Sequence, residues 1–396
     1  TLSGEYSTTG DIVVEDGASL TVGLGSTACT GTVESVSVKN HFSVPVGDTA
    51  QRNETSGYAE GTVRYNRDLG TMEFFNGNEW RQFRYQSDAQ NSSSNRGRAV
   101  IAGAYNNPSP LNIKEQIQYF NISTLGNTQD FGILTTSRTA QMPAASEVRG
   151  LFGGGATPSR VDDIDYITIA SEGNALDFGE LTENAVGANG VLSSSTRGLF
   201  MHGTTPGNTN VIDYVEIMTT GNATDFGDCS FLQGEKSCNV CSPVRGVTMG
   251  GGPNQTALRS IEFFIMASKG NTVRFGDQKT ARREGAGCSN SVRGVMGGGG
   301  MLGSPWPGAR VIEYITIASE GNAIYFGDLT QEKKSNTGMA SQVRGVFAGG
   351  YTPTYLNVME YVTIATTGSA IDFGDMTYPG LYAAALSDCH GGLGGY

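Results

Sequence analysis

The stretch Ile164–Gly179, IDYITIASEGNALDFG, decides the fold, because the chain contains six versions of it. Each version has an alternating apolar and polar run, a turn built on Gly-Asn or Gly-Ser, and a closing Phe-Gly pair. Alternation with period two indicates strands, and a repeat of this length indicates one supersecondary unit per copy. The closing Phe residues lie 47 to 51 residues apart, at Phe131, Phe178, Phe226, Phe275, Phe326 and Phe373.

A second marker precedes each copy and completes a four-stranded unit. It is an Arg-Gly pair that opens a strand ending in glycines, as in Arg344–Gly350, RGVFAGG. A strand rich in small residues comes before it, for example Val191–Ser195 or Ala383–Ala385. Four antiparallel strands repeated about every 50 residues are typical of a kelch-type propeller blade. Small side chains suit innermost strands, which crowd around a central channel.

A shortened copy stands before the first full repeat, at Thr71–Phe83, TMEFFNGNEWRQF. The Arg-Gly marker occurs seven times, from Arg96-Gly97 to the altered pair His390-Gly391, but only six second halves follow the first marker. The sequence therefore predicts an all-β fold, a seven-bladed kelch-like β-propeller over residues 61–396 with four-stranded blades. Its last blade is composite: residues 71–83 give the outer hairpin and residues 381–396 the inner strands. Such a blade closes the ring and leaves no open sheet edge.

Residues 1–60 lie outside the repeat. GDIVVEDGASLTVG, residues 10–23, predicts two short strands around a turn, and the segment is too short and polar to bury much core alone. We therefore expect a small β-rich segment for attachment or oligomerisation, with a homo-oligomer, preferably a trimer, as the assembly. The chain begins at Thr1 rather than Met, which indicates a processed or incompletely observed chain.

Composition narrows the class of partner. The formal net charge is −12 and no basic run is present, which argues against a nucleic-acid partner. No apolar segment is long enough to span a bilayer, and no helical periodicity is sustained. Six cysteines are too sparse for a disulfide framework. The Cys238–Cys241 C-x-x-C has no second pair at zinc spacing, so buried thiols are favoured over a metal site.

Catalytic motifs are not found. Histidine is scarce (His41, His202 and His390), and no Gly-x-Ser-x-Gly, H-E-x-x-H or phosphate-loop motif occurs. We expect no enzyme and no cofactor. A glycan depolymerase stays as an alternative, since acidic pairs such as Asp162-Asp163 suit glycoside hydrolysis. Acidic residues also recur at one position of the repeat, which indicates a structural role: Asp165, Asp213, Glu262, Glu313 and Glu360.

The recurrent arginines have two interpretations. We expect them to pair with acidic groups within or between blades, for which Asp228, Asp277, Asp328 and Asp375 are the candidates. The alternative is a ring of guanidinium groups that lines the channel as an anion site. The residues concerned are Arg149, Arg197, Arg245, Arg293 and Arg344.

The loops between second and third strands vary most between copies, and loops displayed by a rigid scaffold often carry function. They combine aromatic residues with many Asn and Thr, which suits stacking on sugar rings and hydrogen bonding to their hydroxyls. The alternative is that they are solvated turns, with Trp306 packed between two prolines. The candidate ligand-binding residues are Tyr105, His202, Trp306, Arg310, Tyr351 and Tyr355.

Two parts of the chain resemble known virion proteins. Val44–Arg52, VPVGDTAQR, with Gly61–Asn66, GTVRYN, and the Glu-Phe…Trp hairpin after it, resembles a segment common in tail-fibre and other virion proteins of tailed bacteriophages. The Tyr-(Ile/Val)-Thr-Ile-Ala…Phe-Gly-Asp repeats resemble those of kelch-like structural proteins of marine phages, cyanophages especially. Together the resemblances cover roughly residues 42–396.

The resemblance implies a non-enzymatic virion structural protein, a fibre or appendage subunit of the extracellular phage particle. Its N-terminal segment would contact other virion proteins, and its propeller would bind a bacterial surface glycan or receptor. The alternative is a purely architectural subunit that docks other virion proteins.

Overall fold

A computed structural model of the chain describes residues 44–53, 58–68, 71–82, 97–106, 112–187, 189–205, 207–231, 237–253, 256–302 and 307–394. The chain divides into two compact units, Thr1–Tyr85 and Gln86–Tyr396. Across the described ranges, helix is limited to an α-helix at Thr49–Asn53 and a 3-10 helix at Gly391–Leu393. The expected all-β class is confirmed.

The first unit contains one four-stranded sheet. Val46–Gly47 runs parallel to Val63–Asn66, and the other pairings are antiparallel. The buried carboxylate of Glu73 accepts hydrogen bonds from Arg52 Nη1 (2.7 Å) and Asn66 Nδ2 (3.0 Å), which ties the helix to the sheet. The strands in spatial order are Val46–Gly47, Val63–Asn66, Thr71–Phe75 and Trp80–Gln82.

The second unit contains six larger sheets, numbered here in chain order and given from the inner to the outer edge. Sheet 1 has Ala384–Ser387, Arg98–Asn106, Asn112–Asn121 and Gln129–Ile133; sheet 2 has Met142–Ala145, Arg149–Gly153, Asp163–Thr168 and Leu176–Glu180. Sheet 3 has Val186–Gly187, Arg197–Thr204, Val211–Glu216 and Thr224–Asp228; sheet 4 has Cys238–Cys241, Arg245–Met249, Leu258–Ile265, Val273–Arg283 and Gly300–Met301. Sheet 5 has Ala286–Ser289, Arg293–Gly297, Ala309–Thr316 and Ile324–Lys333; sheet 6 has Thr337–Ala340, Arg344–Ala348, Val358–Thr363 and Ile371–Asp375. Two small hairpins pair Ala156–Thr157 with Ser159–Arg160 and Tyr351–Thr352 with Thr354–Tyr355.

The core lies between neighbouring sheets. Six hydrophobic clusters are each built from two adjacent sheets, and one of them joins Ile101 and Phe120 of sheet 1 to Val346 and Phe373 of sheet 6. The Phe of each Phe-Gly pair is buried, and in most sheets it packs edge-on against the aromatic ring of the third strand. Burying such a ring stabilises the fold by roughly 2–3 kcal/mol, so each copy of the repeat anchors one interface.

The recurrent arginines connect each sheet to the next. Arg149 Nη1 donates to Ile217 O of sheet 3 (3.2 Å), and Arg344 Nη1 of sheet 6 donates to Ile122 O (3.1 Å) and Ser123 O (2.9 Å) of sheet 1. Each guanidinium also lies over an aromatic ring of its own third strand. Acidic partners are found for two of the arginines, but they are not the four aspartates named as candidates: Arg197 Nε lies 3.0 Å from Glu216 Oε1, and Arg245 Nη2 lies 3.9 Å from Glu320 Oε1. All of the guanidinium groups bind backbone carbonyls, which any sequence supplies.

In sheet 1, the arginine that corresponds to the Arg-Gly marker differs from the predicted one. Arg98 makes the equivalent bonds, from Nη1 to Ile169 O (3.1 Å) and Ala170 O (3.0 Å) of sheet 2, and Arg96 lies outside the described residues. The repeat therefore begins two residues later than the Arg-Gly pattern indicates.

The predicted composite blade is also wrong. Ala384–Ser387 pairs antiparallel with Arg98–Asn106 and becomes the inner strand of sheet 1, whereas Thr71–Phe75 pairs with Val63–Asn66 in the first unit. The Asp388 carboxylate then accepts a hydrogen bond from Gly97 N (2.9 Å), as the side chain before the Arg does in other sheets, for example Ser341 with Arg344 N (3.0 Å). Among the described residues, this C-terminal strand forms the inner edge of sheet 1.

The six sheets thus share cores in chain order, and sheet 6 shares one with sheet 1. This arrangement is consistent with a β-propeller. The seventh blade of the prediction depended on the composite pairing, and the described residues of the second unit supply six sheets.

Candidate functional site

A tyrosine cluster is the main feature at the end of the sheets where second strands pass to third strands. Tyr355 is 6.1 Å from Tyr105 and 5.4 Å from Tyr351 between ring centroids, with interplanar angles of 66° and 71°. All three rings are half-buried. The structure therefore brings together three of the six predicted residues, from sheets 1 and 6. We call Tyr105, Tyr351 and Tyr355 the tyrosine cluster.

Backbone pairing explains why these residues meet. Tyr105 and Leu381 exchange hydrogen bonds of 2.9 and 3.0 Å, and Lys334 and Tyr351 do the same at 3.2 and 2.9 Å. The hairpin of Tyr351–Thr352 and Thr354–Tyr355 then turns Tyr355 back toward Tyr105. The cluster is consequently built on a hydrogen-bonded frame rather than on an isolated loop.

Strained backbone lies beside this cluster. Four non-glycine residues of the described chain have positive φ, and each stands two residues before an inner strand: Ala140 (61°), Glu284 (57°), Ser335 (57°) and Tyr382 (59°). Their amides form a series: Ala140 N donates to Tyr382 O (2.9 Å), Tyr382 N to Ser335 O (3.0 Å) and Ser335 N to Glu284 O (2.8 Å). Left-handed backbone costs about 1–2 kcal/mol for each such residue and concentrates at functional sites. We call these four residues the collar.

One lysine, Lys334, lies beside the cluster, and a second, Lys114, lies beside Tyr378 on the neighbouring strand of sheet 1. Lys334 Nζ lies 5.8 Å from the centroid of the Tyr351 ring, and Lys114 Nζ lies 5.6 Å from that of Tyr378. Lys114 pairs across the strand with Ala104, next to Tyr105. Tyr378 donates from Oη to Gln116 O (3.2 Å), and burial raises its pKa to about 12, so it stays a neutral donor.

His202 does not belong to the site. It is fully buried in sheet 3, with Nδ1 3.3 Å from Glu183 Oε1 and Nε2 3.2 Å from Asp213 Oδ2. Burial pushes the pKa of Asp213 upward, but the hydrogen bond and charge of His202, with the bonds from Thr182, outweigh burial and lower that pKa. The candidate ligand-binding role of His202 is therefore wrong: its ring is an internal partner of carboxylates.

The other two candidates lie apart from the cluster or outside the described residues. Arg310 is exposed on sheet 5, where Nε donates to Leu329 O (3.2 Å). Trp306 falls among the residues that the structure does not describe.

The recurrent acidic residues stabilise contacts between sheets, as predicted. All five are buried, and each accepts a hydrogen bond from a backbone N–H in the outer strand of the preceding sheet or just after it, as when Thr135 N donates to Asp165 Oδ2 (2.9 Å). Buried cations complete several of them: Arg138 Nη2 is 2.7 Å from Asp165, and Lys333 forms an ion pair with Glu360. Hydrogen bonds and ion pairs within the fold therefore engage these carboxylates.

A second buried centre lies at the inner edge of the sheets, where the C-terminal 3-10 helix packs. His390 Nδ1 accepts from Gly392 N (3.1 Å), and Nε2 lies 3.0 Å from Ala145 O and 3.2 Å from Ser193 Oγ. A methyl group at Gly392 would collide with Ser193 O, so only glycine fits there. The predicted strand marker at His390-Gly391 is wrong, because these residues begin the 3-10 helix, with His390 as its N-cap.

The Ser193–His390 pair is not arranged as a catalytic dyad. Because Nδ1 accepts a backbone N–H, the neutral ring carries its proton on Nε2 and donates it to Ala145 O. A general base would need a free lone pair on Nε2. Burial also lowers the pKa of His390 to about 4, so the neutral ring is the form present near pH 7.

Two cysteines and a small cavity, like His390, belong to the buried interior at the inner edge of the sheets. Cys238 and Cys241 lie on a buried inner strand, and burial raises the pKa of Cys241 to about 11 and that of Cys238 further. A cavity of about 10 Å³, room for one water, is lined by Asn239, Ser289 and His390 among others. Within the described ranges, no three His, Cys, Asp or Glu residues are grouped as a metal site, and no helix is long and apolar enough to cross a membrane.

Comparison with models of known protein families found no match, and a search of curated proteins found no significant match either.

Proposed function

We propose that the chain is a non-enzymatic surface-binding protein, in which a closed six-bladed β-propeller presents the tyrosine cluster to carbohydrate. Closure is supported by the core and the Arg344 hydrogen bonds that sheets 6 and 1 share. A closed ring fixes the loops of its first and last sheets against each other, which is what a preorganised binding surface requires.

The observation that carries this proposal is the tyrosine cluster itself. Its three half-buried rings come from two sheets, stand on paired backbone and meet at steep angles. Tyrosine offers an apolar face and a polar tip, and loses little conformational entropy on binding. Sugars present the complementary pair of surfaces, apolar C–H faces and hydroxyl edges.

The biological setting is proposed from the virion-type motifs of Val44–Arg52 and Gly61–Asn66. In this setting the chain is a fibre or appendage subunit of a tailed phage particle. The first unit would contact other virion proteins or form a homo-oligomer, with a trimer favoured, and the second unit would contact a bacterial surface glycan or receptor.

A second candidate function, docking of other virion proteins, is favoured by exposed valines. Val148, Val244, Val292 and Val343 are each 47% to 61% exposed and stand directly before the recurrent arginines. They lie where second strands begin, whereas Tyr105 lies where a second strand ends. Apolar groups repeated at one end of the sheets are typical of a protein-binding surface.

Glycan-array and whole-cell binding by the full chain test the two candidates. We expect the double variant Tyr105→Ala/Tyr355→Ala to lose about 10- to 100-fold in affinity, since each aromatic contact contributes about 0.5–1.5 kcal/mol beyond its buried area. Tyr325→Ala is the matched control, because that ring is 46% exposed on the outer strand of sheet 5.

Unchanged binding by the folded double variant would refute the carbohydrate site. Loss of assembly in Val244→Ser/Val292→Ser, without loss of cell binding, would instead identify the valine surface as the one that docks proteins.

A further inference from the structure

We infer that two copies of this chain pack against each other through the end of the second unit that carries the exposed valines, about a two-fold axis that exchanges sheets 2 and 4. This inference goes beyond the proposed function, because the partner is neither a carbohydrate nor another virion protein. It uses the order of the six sheets, in which each sheet shares a core with the next and sheet 6 shares one with sheet 1.

Strand register defines this end. In sheet 2 the last residue of the third strand, Thr168, pairs with the first residue of the second strand, Arg149, and the equivalent pairing recurs in the other five sheets. The turns before the second strands and those after the third strands therefore lie at the same end of every sheet. Tyr105 lies at the opposite end, where a second strand ends.

Every sheet has an exposed aliphatic side chain at this end. Sheets 2, 4, 5 and 6 each have one of the four exposed valines and a second aliphatic residue at the start of the outer strand, and the latter are 52% to 61% exposed: Leu176, Val273, Ile324 and Ile371. Sheets 1 and 3 have neither, but Leu125 and Met218, in the turns after their third strands, are 59% and 54% exposed. We call these aliphatic residues the apolar end.

The regular recurrence of the apolar end favours a second copy as its occupant. Aliphatic groups presented by all six sheets fit a partner that presents them in the same way, and in a two-fold contact the same patch serves both partners. A stable interface needs about 800 Å² and 20–30 residues from each partner, which a surface spanning six sheets can supply. Because the tyrosine cluster is at the other end of the sheets, the pair would present two clusters and bind a multivalent surface with higher avidity.

Charge sets the orientation of the two copies. The net charge of −12 opposes contact between like surfaces, but the six turns after the third strands carry only three charged residues among the described ones: Glu172 of sheet 2, Lys269 of sheet 4 and Glu320 of sheet 5. Glu320 already lies 3.9 Å from Arg245 Nη2 in its own chain, whereas Glu172 accepts a hydrogen bond from the neutral Tyr119 hydroxyl (2.6 Å).

An axis that exchanges sheets 2 and 4 places Glu172 of each copy opposite Lys269 of the other. The same axis exchanges sheets 1 and 5, so Glu320 meets the uncharged turn that contains Leu125. The contact then gains two equivalent ion pairs, and no two of these three charges of like sign face each other.

The first test is sedimentation of the full chain over a range of micromolar concentrations. We expect the wild-type protein to associate reversibly to twice the mass of Val244→Lys/Val292→Lys, whose dissociation constant should rise about 100-fold or more because each copy buries two unpaired charges. Leu302→Lys is the matched control and should keep the wild-type mass, since Leu302 is 58% exposed and follows the second strand of sheet 5 at the opposite end. Equal masses for the wild-type protein and the valine variant would overturn the second copy as occupant and leave the apolar end to a different protein. An equal loss in Leu302→Lys would overturn the assignment to this end.

Charge reversal tests the orientation. Glu172→Lys and Lys269→Glu should each weaken association about 5- to 20-fold, because each creates a like-charge contact twice in the pair. The double variant Glu172→Lys/Lys269→Glu should restore the dissociation constant to within about twofold of the wild-type value, since both contacts again join opposite charges. A double variant that associates no better than either single variant would overturn the exchange of sheets 2 and 4.

Discussion

Acidification should destabilise the second unit through one buried imidazole, His390. Its Nδ1 accepts the Gly392 N–H, a contact that requires the neutral form, whereas the donation from Nε2 to Ala145 O is possible in either form. Protonation would place a second N–H against Gly392 N and an unpaired charge among buried groups. The C-terminal 3-10 helix and the inner strands around it should loosen first.

The magnitude follows from the shift in pKa. Burial lowers the pKa of His390 from 6.5 to about 4, a difference of about 2.5 pH units, and each unit corresponds to about 1.36 kcal/mol, so the total is about 3 kcal/mol. Below pH 6.5 the unfolded chain binds a proton that the folded chain does not. The free energy of unfolding should therefore be unaffected by this group above pH 7, fall between pH 6.5 and pH 4, and then level off.

The assay is urea unfolding followed by circular dichroism at pH 7.5, 6, 5 and 4.5, with His390→Asn as the partner protein. Asn can accept the Gly392 N–H as a helix cap but does not titrate. At pH 7.5 the variant should be about 1 kcal/mol less stable, because the bond to Ala145 O is lost. As the pH falls, this difference should shrink and change sign.

Every other ionisable group is the same in both proteins, so its contribution cancels in the comparison. A difference between the two proteins that is the same at pH 7.5 and pH 4.5 would refute the assignment.

Three further perturbations test the contacts between sheets. Arg344→Gln should cost about 1–2 kcal/mol in urea unfolding, because two bonds from sheet 6 to sheet 1 are lost; the exposed Arg274→Gln should cost under about 0.5 kcal/mol, and equal effects would contradict this account. Lys333→Met should cost about 3–5 kcal/mol by leaving Glu360 buried without its partner. Lys333→Met/Glu360→Leu should recover most of that loss, and a double variant no more stable than the single one would show that the pair is not the cause. Deleting residues 384–394 should prevent cooperative melting of the second unit, because sheet 1 loses its inner strand; melting at the wild-type temperature would rule out that role for the strand.

The sequence pattern identified the three tyrosines of the cluster but not the residues that surround them. Tyr105, Tyr351 and Tyr355 were identified because they stand in variable loops, but the same rule also selected His202, which is an internal partner of Asp213. Position in a loop does not show which way a side chain points. The collar and the two lysines depend on backbone dihedrals and on contacts between distant residues, such as Tyr382 with Ser335, for which the sequence has no local signal.

The sequence by itself determined the repeating unit. The period of the Phe-Gly pairs, the alternation along the third strands and the recurrent acidic position each follow from local physical requirements, a buried ring, a half-buried strand and a hydrogen-bonded connection. These requirements are the same in every copy of the repeat, so the same residue types recur in every copy. The strands, their order within each sheet and the structural role of the acids were therefore predictable.

Only the tertiary structure decided how the chain ends are used. Any small-residue strand can pair with any free sheet edge, because the hydrogen bonds come from the backbone, and the sequence did not show whether Ala384–Ser387 belonged with Thr71–Phe75 or Arg98–Asn106. The structure settles the choice in favour of Arg98–Asn106, and the core of that sheet joins the core of sheet 6. The same cause explains the arginines: their partners are carbonyl groups, which exist at every residue and are selected by geometry alone.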